Sequence, residues 1–481
     1  MTDHPIQFYD TMTRMKKPFV PLNPPNVTMY VCGPTVYGDP HIGNIRTFTS
    51  GDLIRRWLEY RGYHVRYVMN ITDIDDKTIR DSGKAGKTLK EFTEHFTKVF
   101  FRGLDQLNIM RATAHPRATM YIPQMIDFIQ ALIDKGYAYE AQDGVYFDIS
   151  KYVDYGKLSG INLEMTERSE RVSKDEYAKD NPQDFALWKK SIPEEMSRGI
   201  FFNSPWGPGR PGWHIECSVM SKELLGETID IHAGGEDLVF PHHENEVAQS
   251  ESLSGKQFVR YWLHMRHLMI EGGKMSKSLG NYVSFDEVLK RVTPDAFRYF
   301  YISTQYGRPL NFTWNAVDSA QNTVKRLENT LDLIDEALNG PEQNLDYHGR
   351  EDKFLKTIWE EKKGFIEAMD DDINTPIALG HLHAINNAIN EYVIGPVNKG
   401  VLEEASKQYK ELLNVLGLFP RRGWLTYDLS EKLIRLITDL REEQRKAKNY
   451  VIADEIRQKL EEVGVVIQDT PGGVTWKIVQ K

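Results

Sequence analysis

Two cysteines in 481 residues are too few for a disulfide framework. No stretch reaches about 18 uninterrupted apolar residues, so a membrane-spanning helix is not expected. The opening Met1-Thr2-Asp3-His4-Pro5-Ile6-Gln7 has no apolar signal core, and the expected location is therefore the cytoplasm, where thiols stay reduced. An excess of basic charge is missing too. Lys and Arg total 60 against 69 Asp and Glu, a net charge of −9, which argues against a protein that simply coats nucleic acid. Phosphate contacts need only a local basic surface, so RNA stays open as a partner. There is no Walker-type phosphate loop, internal repeat or low-complexity tract.

What is present suggests two to four domains for this length. Val27 to Cys32 reads as a strand broken by Gly33-Pro34, and a helix follows from about Gly43 to Arg61 with Phe48, Leu53, Ile54, Trp57 and Leu58 on one side. His64 to Met69 reads as the next strand, giving a β-α-β unit and a parallel sheet. Residues 115–199 look like an insertion, with a helix over Met120 to Lys135, a hairpin over Tyr137 to Ile149 and a polar excursion from Thr166 to Gln183. Thr228 to His232 and Trp262 to Glu271 return to strand patterns. From Ala316 to Leu418 helical periodicity dominates, and Pro420-Arg421-Arg422-Gly423 reads as a linker. The tail holds helices over Leu429 to Lys448 and Val451 to Val463, then strands over Val465 to Gln468 and Val474 to Val479.

The two cysteines sit in loops that look chemical. Cys32 precedes His41-Ile42-Gly43-Asn44, and Cys217 follows Gly212-Trp213-His214 ahead of Pro241-His242-His243-Glu244-Asn245-Glu246. Two thiols, an imidazole and a carboxylate suffice to hold one tetrahedral zinc; a disulfide or two unrelated buried thiols are the other readings. His242 and Glu246 are four apart, so on a helix opened by Pro241 they face the same way, and His243 points about a quarter-turn off as a supporting or substrate contact. His41 stands at a strand-to-helix turn, where exposed N–H groups and the helix dipole favour phosphate, and Gly43 lets a flat ring approach the backbone. Lys274-Met275-Ser276-Lys277-Ser278 puts two lysines on a small-residue loop that can neutralise a triphosphate.

The last two motifs, in this order, resemble the paired signatures of class I aminoacyl-tRNA synthetases, with Asn44 where the common form has His. Asn70-Ile71-Thr72-Asp73-Ile74-Asp75-Asp76-Lys77, Gly212 to Cys217 and His232 to Glu246 narrow the resemblance to the cysteinyl-tRNA synthetase family, over nearly the whole chain. That resemblance implies an α/β fold: a Rossmann-type parallel-sheet catalytic domain (1–114 and 200–283) with a connective insertion (115–199), a stem-contact region (284–315), an α-helical bundle (316–419) and a small C-terminal anticodon-binding α/β module (420–481). It implies ATP-dependent activation of L-cysteine and its transfer to tRNA(Cys), on a monomer without membrane attachment. One Zn2+ on Cys32, Cys217, His242 and Glu246 is expected to bind the substrate thiolate, which a soft metal prefers to a hydroxyl. Trp213, Thr72 and Asp237 are suggested as cysteine contacts, Asp237 for the ammonium. His41, Gly43, Asn44 and Lys277 are expected on ATP, with Lys277, His41 and Lys274 stabilising the transferring phosphorus, and Mg2+ enters only with ATP. Asp73, Asp75 and Asp76 read as a helix-capping acidic turn in preference to a magnesium cluster. Arg441, Arg445, Lys446, Lys448 and Trp476 are candidate RNA contacts. A paralogous ligase that joins cysteine to an amino-sugar would keep the zinc and nucleotide motifs; the anticodon-like segments at 450–457 and 469–476 argue against it.

Overall fold

The computed structural model describes residues 4–161, 184–274, 283–340, 349–420, 426–446, 449–462, 465–470 and 473–478, in two compact units, Met1–Leu418 and Phe419–Lys481. At the centre of the first unit four parallel strands lie in the order Val259–Met265, Ile229–Gly235, Asn26–Val31, His64–Met69. Their apolar runs are covered on both faces, as an all-parallel sheet requires: Met29, Tyr30, Val31, Ile231 and Trp262 are fully buried. Helix Ile42–Tyr60 makes the crossover between Asn26–Val31 and His64–Met69, and it buries the expected Phe48, Leu53, Ile54, Trp57 and Leu58. From Asn26–Val31 the chain continues to one side of the sheet; from Ile229–Gly235 it continues to the other. The carboxyl ends of these two adjacent strands are therefore a point of divergence, where α/β sheets leave a ligand crevice.

The strand expected over Trp262 to Glu271 is two strands. Val259–Met265 stays in the central sheet, while Leu268–Ile270 pairs with Gly273–Lys274 and Leu310–Phe312. The break falls at Arg266 and His267, whose carbonyls turn onto the Arg46 guanidinium at 2.6 and 2.8 Å. The insertion carries helix Ile122–Asp134 and an antiparallel sheet in the order Ala138–Glu140, Gly144–Phe147, Phe185–Lys190, Gly209–Pro211, so its fourth strand comes from beyond residue 199. The polar excursion from Thr166 to Gln183 lies outside the described residues. Helices Trp314–Asn339, Gly349–Asp370, Thr375–Val393 and Lys399–Val415 pack together as the expected bundle. The second unit holds helices Thr426–Lys446 and Tyr450–Glu462 and the antiparallel pair Val465–Thr470 and Gly473–Ile478. Among the described residues no helix is long and apolar enough to cross a membrane.

Candidate active site

Cys32 is the first residue after strand Asn26–Val31, its amide bonded to the Ala233 carbonyl at 3.1 Å. The next residue must be glycine: a Cβ on Gly33 would stand 1.7 Å from the Asn70 carbonyl oxygen, and its N–H donates to Asn70 Oδ1 at 2.7 Å. Cys217 lies in helix Trp213–Leu225, and Glu246 in helix Glu244–Ser254. Pro241 opens the helical run as expected: Phe240 before it is extended (φ −138°, ψ 132°), His243 and Glu244 already have helical angles, and the regular α-helix continues over Glu244–Ser254. His242 and Glu246 therefore meet across one turn, Nε2 to Oε1 at 3.1 Å.

These four side chains converge: Cys32, Cys217, His242 and Glu246 can each offer one ligand atom with all of them within 4.8 Å of one another. Two sulfurs each about 2.3 Å from one zinc at the tetrahedral angle stand about 3.8 Å apart. The Cys32 and Cys217 sulfurs are 3.8 Å apart, far beyond the roughly 2.05 Å of a disulfide, and both cysteines are free. The donor set and its spacing fit a tetrahedral zinc.

A second set, Cys32, His232, His243 and Glu246, is equally close. It lies beneath the first. Cys32, Cys217 and His242 face a cavity of about 370 Å³, whereas His232 and His243 do not line it. His232 Nε2 holds Glu246 Oε2 at 2.8 Å, leaving Oε1 toward His242; such partners of a metal-binding carboxylate fix its orientation. His243 does not contact substrate space. Its Nε2 lies 3.3 Å from Cys32 Sγ and its Nδ1 2.7 Å from His264 Nε2, and His264 Nδ1 reaches Thr11 Oγ1 at 2.7 Å. Of the two roles expected for His243, supporting or substrate contact, the geometry is that of the supporting one.

Burial opposes charge throughout the cluster, and the partners decide which groups ionise. Burial disfavours the Glu246 carboxylate, but His232 and His242 outweigh it and hold the carboxyl down to about 2. The same burial works against a charged His242, and Glu246 and Cys217 overcome it, raising the imidazole to about 10. Burial also raises the Cys217 thiol, yet hydrogen bonding from Cys32 and the charge of His242 bring it down to about 6. Cys32 is pushed well above the usual thiol range by burial and by Cys217. Burial keeps His243 neutral and pulls His264 down to about 3. The partners thus favour a thiolate at Cys217 and a carboxylate at Glu246 beside a protonated His242, an arrangement in which a divalent cation can take the place of the proton.

The cavity joins this cluster to the other expected residues. Its wall includes His41, Asn44, Thr72, Trp213 and Asp237. His41 caps helix Ile42–Tyr60: its Nδ1 accepts the Asn44 N–H at 3.2 Å, and Asn44 Oδ1 accepts the His41 N–H at 3.4 Å. In the neutral ring this puts the proton on Nε2, a donor suited to phosphate oxygen. Asn44 therefore closes a capping box, which accounts for an amide at this position. Trp213 is not a core tryptophan: it is 39% exposed and tilts over the His242 ring at 4.3 Å between centroids. Thr72 Oγ1 donates to Glu216 Oε2 at 2.8 Å, and burial followed by the neighbouring Cys217 keeps Glu216 well above the usual carboxylate range. Asp237 lies in the short turn Glu236–Leu238. Gly43 is the second residue of the capped helix and does not line the cavity.

Lys274 belongs by its backbone to strand Gly273–Lys274, while Lys277 lies outside the described residues. The acidic turn is structural: Asp75 caps helix Asp76–Lys84, Asp73 accepts from Thr119, and Asp76 pairs with Lys189 and Arg210. Arg441 is buried and bonded to Glu442 at 3.2 Å, which removes it from the candidate phosphate contacts. Arg445 stays partly exposed, and Lys448 and the side chains of Lys446 and Trp476 lie outside the described residues. Sequence reasoning missed His264, Glu216, the Glu246 partner role of His232, and Lys77, which lines the cavity above the Tyr37 ring at 5.1 Å. His232, Glu216 and Lys77 did lie inside the motifs already singled out; His264 carried no such signal.

Residues 18–322 match the family described as the tRNA synthetases class I (C) catalytic domain, and residues 364–420 match the DALR domain. Methionyl-tRNA synthetase of Mycobacterium tuberculosis in complex with methionyl-adenylate shares the fold, with a TM-score of 0.58 over 81% of this chain and 89% of that one at 16% identity. Fold and family match together define a class I tRNA synthetase. Cysteine–tRNA ligase of Thermococcus onnurineus (strain NA1) is 46% identical over 98% of this chain and 99% of that protein. The enzyme of the same name from Methanosarcina mazei is 46% identical over 97% and 98%. The chain belongs to the cysteine–tRNA ligase family.

Proposed function

We propose that the protein activates L-cysteine with ATP, releasing pyrophosphate, and transfers the cysteinyl group to the 3′ end of tRNA(Cys), with zinc on Cys32, Cys217, His242 and Glu246 selecting the substrate. The observation that carries this is the 3.8 Å sulfur pair of Cys32 and Cys217 opening into the cavity that His41 and Asn44 also line. Zinc bound there supplies a soft Lewis acid that favours a thiolate over a hydroxyl. Trp213 covers the substrate side chain, Asp237 takes its ammonium and Thr72 lies beside its backbone. The cysteine carboxylate attacks the α-phosphorus in line, and the bond to pyrophosphate breaks. No protein nucleophile is needed; positioning and charge do the work. His41 donates from Nε2 to phosphate, Gly43 and Asn44 shape the ATP site, and Lys274 and Lys277 neutralise the leaving pyrophosphate, with Mg2+ on the nucleotide. A terminal ribose hydroxyl of the tRNA then attacks the carbonyl carbon and AMP leaves. On this reading the enzyme acts as a monomer in the cytoplasm.

A steric pocket separates a thiol from a hydroxyl by only about 1–3 kcal/mol. ATP–pyrophosphate exchange should therefore favour L-cysteine over L-serine by more than about 10³-fold, beyond what shape alone provides, and charging of tRNA(Cys) should follow. Exchange without charging would point to the amino-sugar ligase instead. Discrimination of about 100-fold or less would remove the selecting role from the metal.

A further inference from the structure

Where the chain leaves the central sheet at Arg266–His267, every backbone polar group has a partner. The Arg266 N–H donates to the Tyr306 carbonyl at 2.9 Å, and the His267 N–H to Glu236 Oε1 at 2.7 Å. Both carbonyls accept from Arg46 Nη1, at 2.6 and 2.8 Å. Arg46 Nη2 extends the same fork to the carbonyls of Arg308 and Gln305. Arg46 is 1% exposed, and no carboxylate of the described residues forms an ion pair with it. Burial pulls its guanidinium down to about 10. A buried cation hydrogen-bonded to main-chain carbonyls, with the charge of Glu236 acting only at longer range, is a costly way to fill space, and only a planar fork can serve several acceptors at once.

Three parts of the proposed active site meet at this junction. Arg46 lies on the helix that His41 and Asn44 cap. Glu236, which accepts the His267 N–H and also pairs with Arg266 at 2.6 Å, adjoins Asp237 in one short turn. Past the junction, Leu268–Ile270 pairs with Gly273–Lys274, with Met269 opposite Lys274. We infer that Arg46 is a positioning residue for adenylate formation, its fork setting the hairpin that bears Lys274 in place against the capped helix of His41 and the turn of Asp237. This rests on the ATP reading above.

Arg46→Lys keeps the charge and loses the fork. A misplacement of about 1 Å can cost about 100-fold, so the kcat of cysteine-dependent exchange should fall by about that factor. KM for L-cysteine should change by much less than kcat, since the sulfur end of the cavity is untouched and only Asp237, on the turn beside the junction, bears on its binding. Zinc content should not change. In a Lys274→Ala background the same substitution should cost less than about threefold, because both act through one hairpin. A full loss in that background, or unchanged exchange in the single variant, would overturn the proposal. If Arg46→Lys does not fold, Glu236→Gln weakens the second hold on the junction and should show a smaller loss with the same non-additivity; additive behaviour there would equally overturn it. Absence of cysteine-dependent exchange in the unaltered protein would instead defeat the underlying functional reading.

Discussion

At one end of the cavity the chemical groups are almost fully buried: Cys32 is 6% exposed, Cys217 2%, His242 1% and Glu246 0%. At the other end Asn44 is exposed and His41 and Gly43 are partly so, and the groups on offer are one imidazole donor, an amide and the start of a helix. On the proposed function the contrast follows from what each end would handle. Telling sulfur from oxygen requires ligands fixed and dehydrated before the substrate arrives, because the energy difference is expressed only where water does not compete. A triphosphate carries enough charge to be held by several moderate donors in partial contact with water. Loss of one group should therefore be severe at the buried end and graded at the open one.

The largest expected effect is at the buried end. Cys217→Ser should lose zinc and cysteine-dependent exchange together, the latter by more than about 10³-fold, because the hydroxyl is a poor ligand at neutral pH. Full zinc by elemental analysis in that variant would remove Cys217 from the ligand set. His232→Ala should come next. It frees Glu246 Oε2 without touching the cavity, so zinc affinity in a chelator competition should fall by about 10–100-fold while KM for ATP holds. Unchanged affinity would show that Glu246 is oriented without it. The smallest effect belongs to the open end: Asn44→Ala breaks the reciprocal half of the cap at a cost of about 1 kcal/mol, and exchange should drop less than about tenfold. A loss as large as that of Cys217→Ser would erase the contrast.

Much of this was legible in the sequence because it is local. The i, i+4 spacing of His242 and Glu246, the strand-turn-helix around His41 and the alternation of strand and helix patterns depend on near neighbours alone. What was not legible depends on contacts across the fold. His264 lies in strand Val259–Met265, where nearly every residue is buried, and only the fold brings it behind the cluster, through His243. Arg46 and Arg441 are charged residues in helical patterns, normally a solvated face, and both are buried. The strand pattern from Trp262 to Glu271 hides a break at Arg266 and His267, whose carbonyls are taken by Arg46 from a distant helix.

Zinc K-edge X-ray absorption on the purified protein, with and without substrate, bears most directly on how cysteine is chosen. Two sulfur and two lighter scatterers should surround the metal at rest, at about 2.3 and 2.0–2.2 Å. A third sulfur should appear with L-cysteine and not with L-serine. A sulfur count that stays at two with L-cysteine bound would contradict selection of the substrate by a direct metal–thiolate bond.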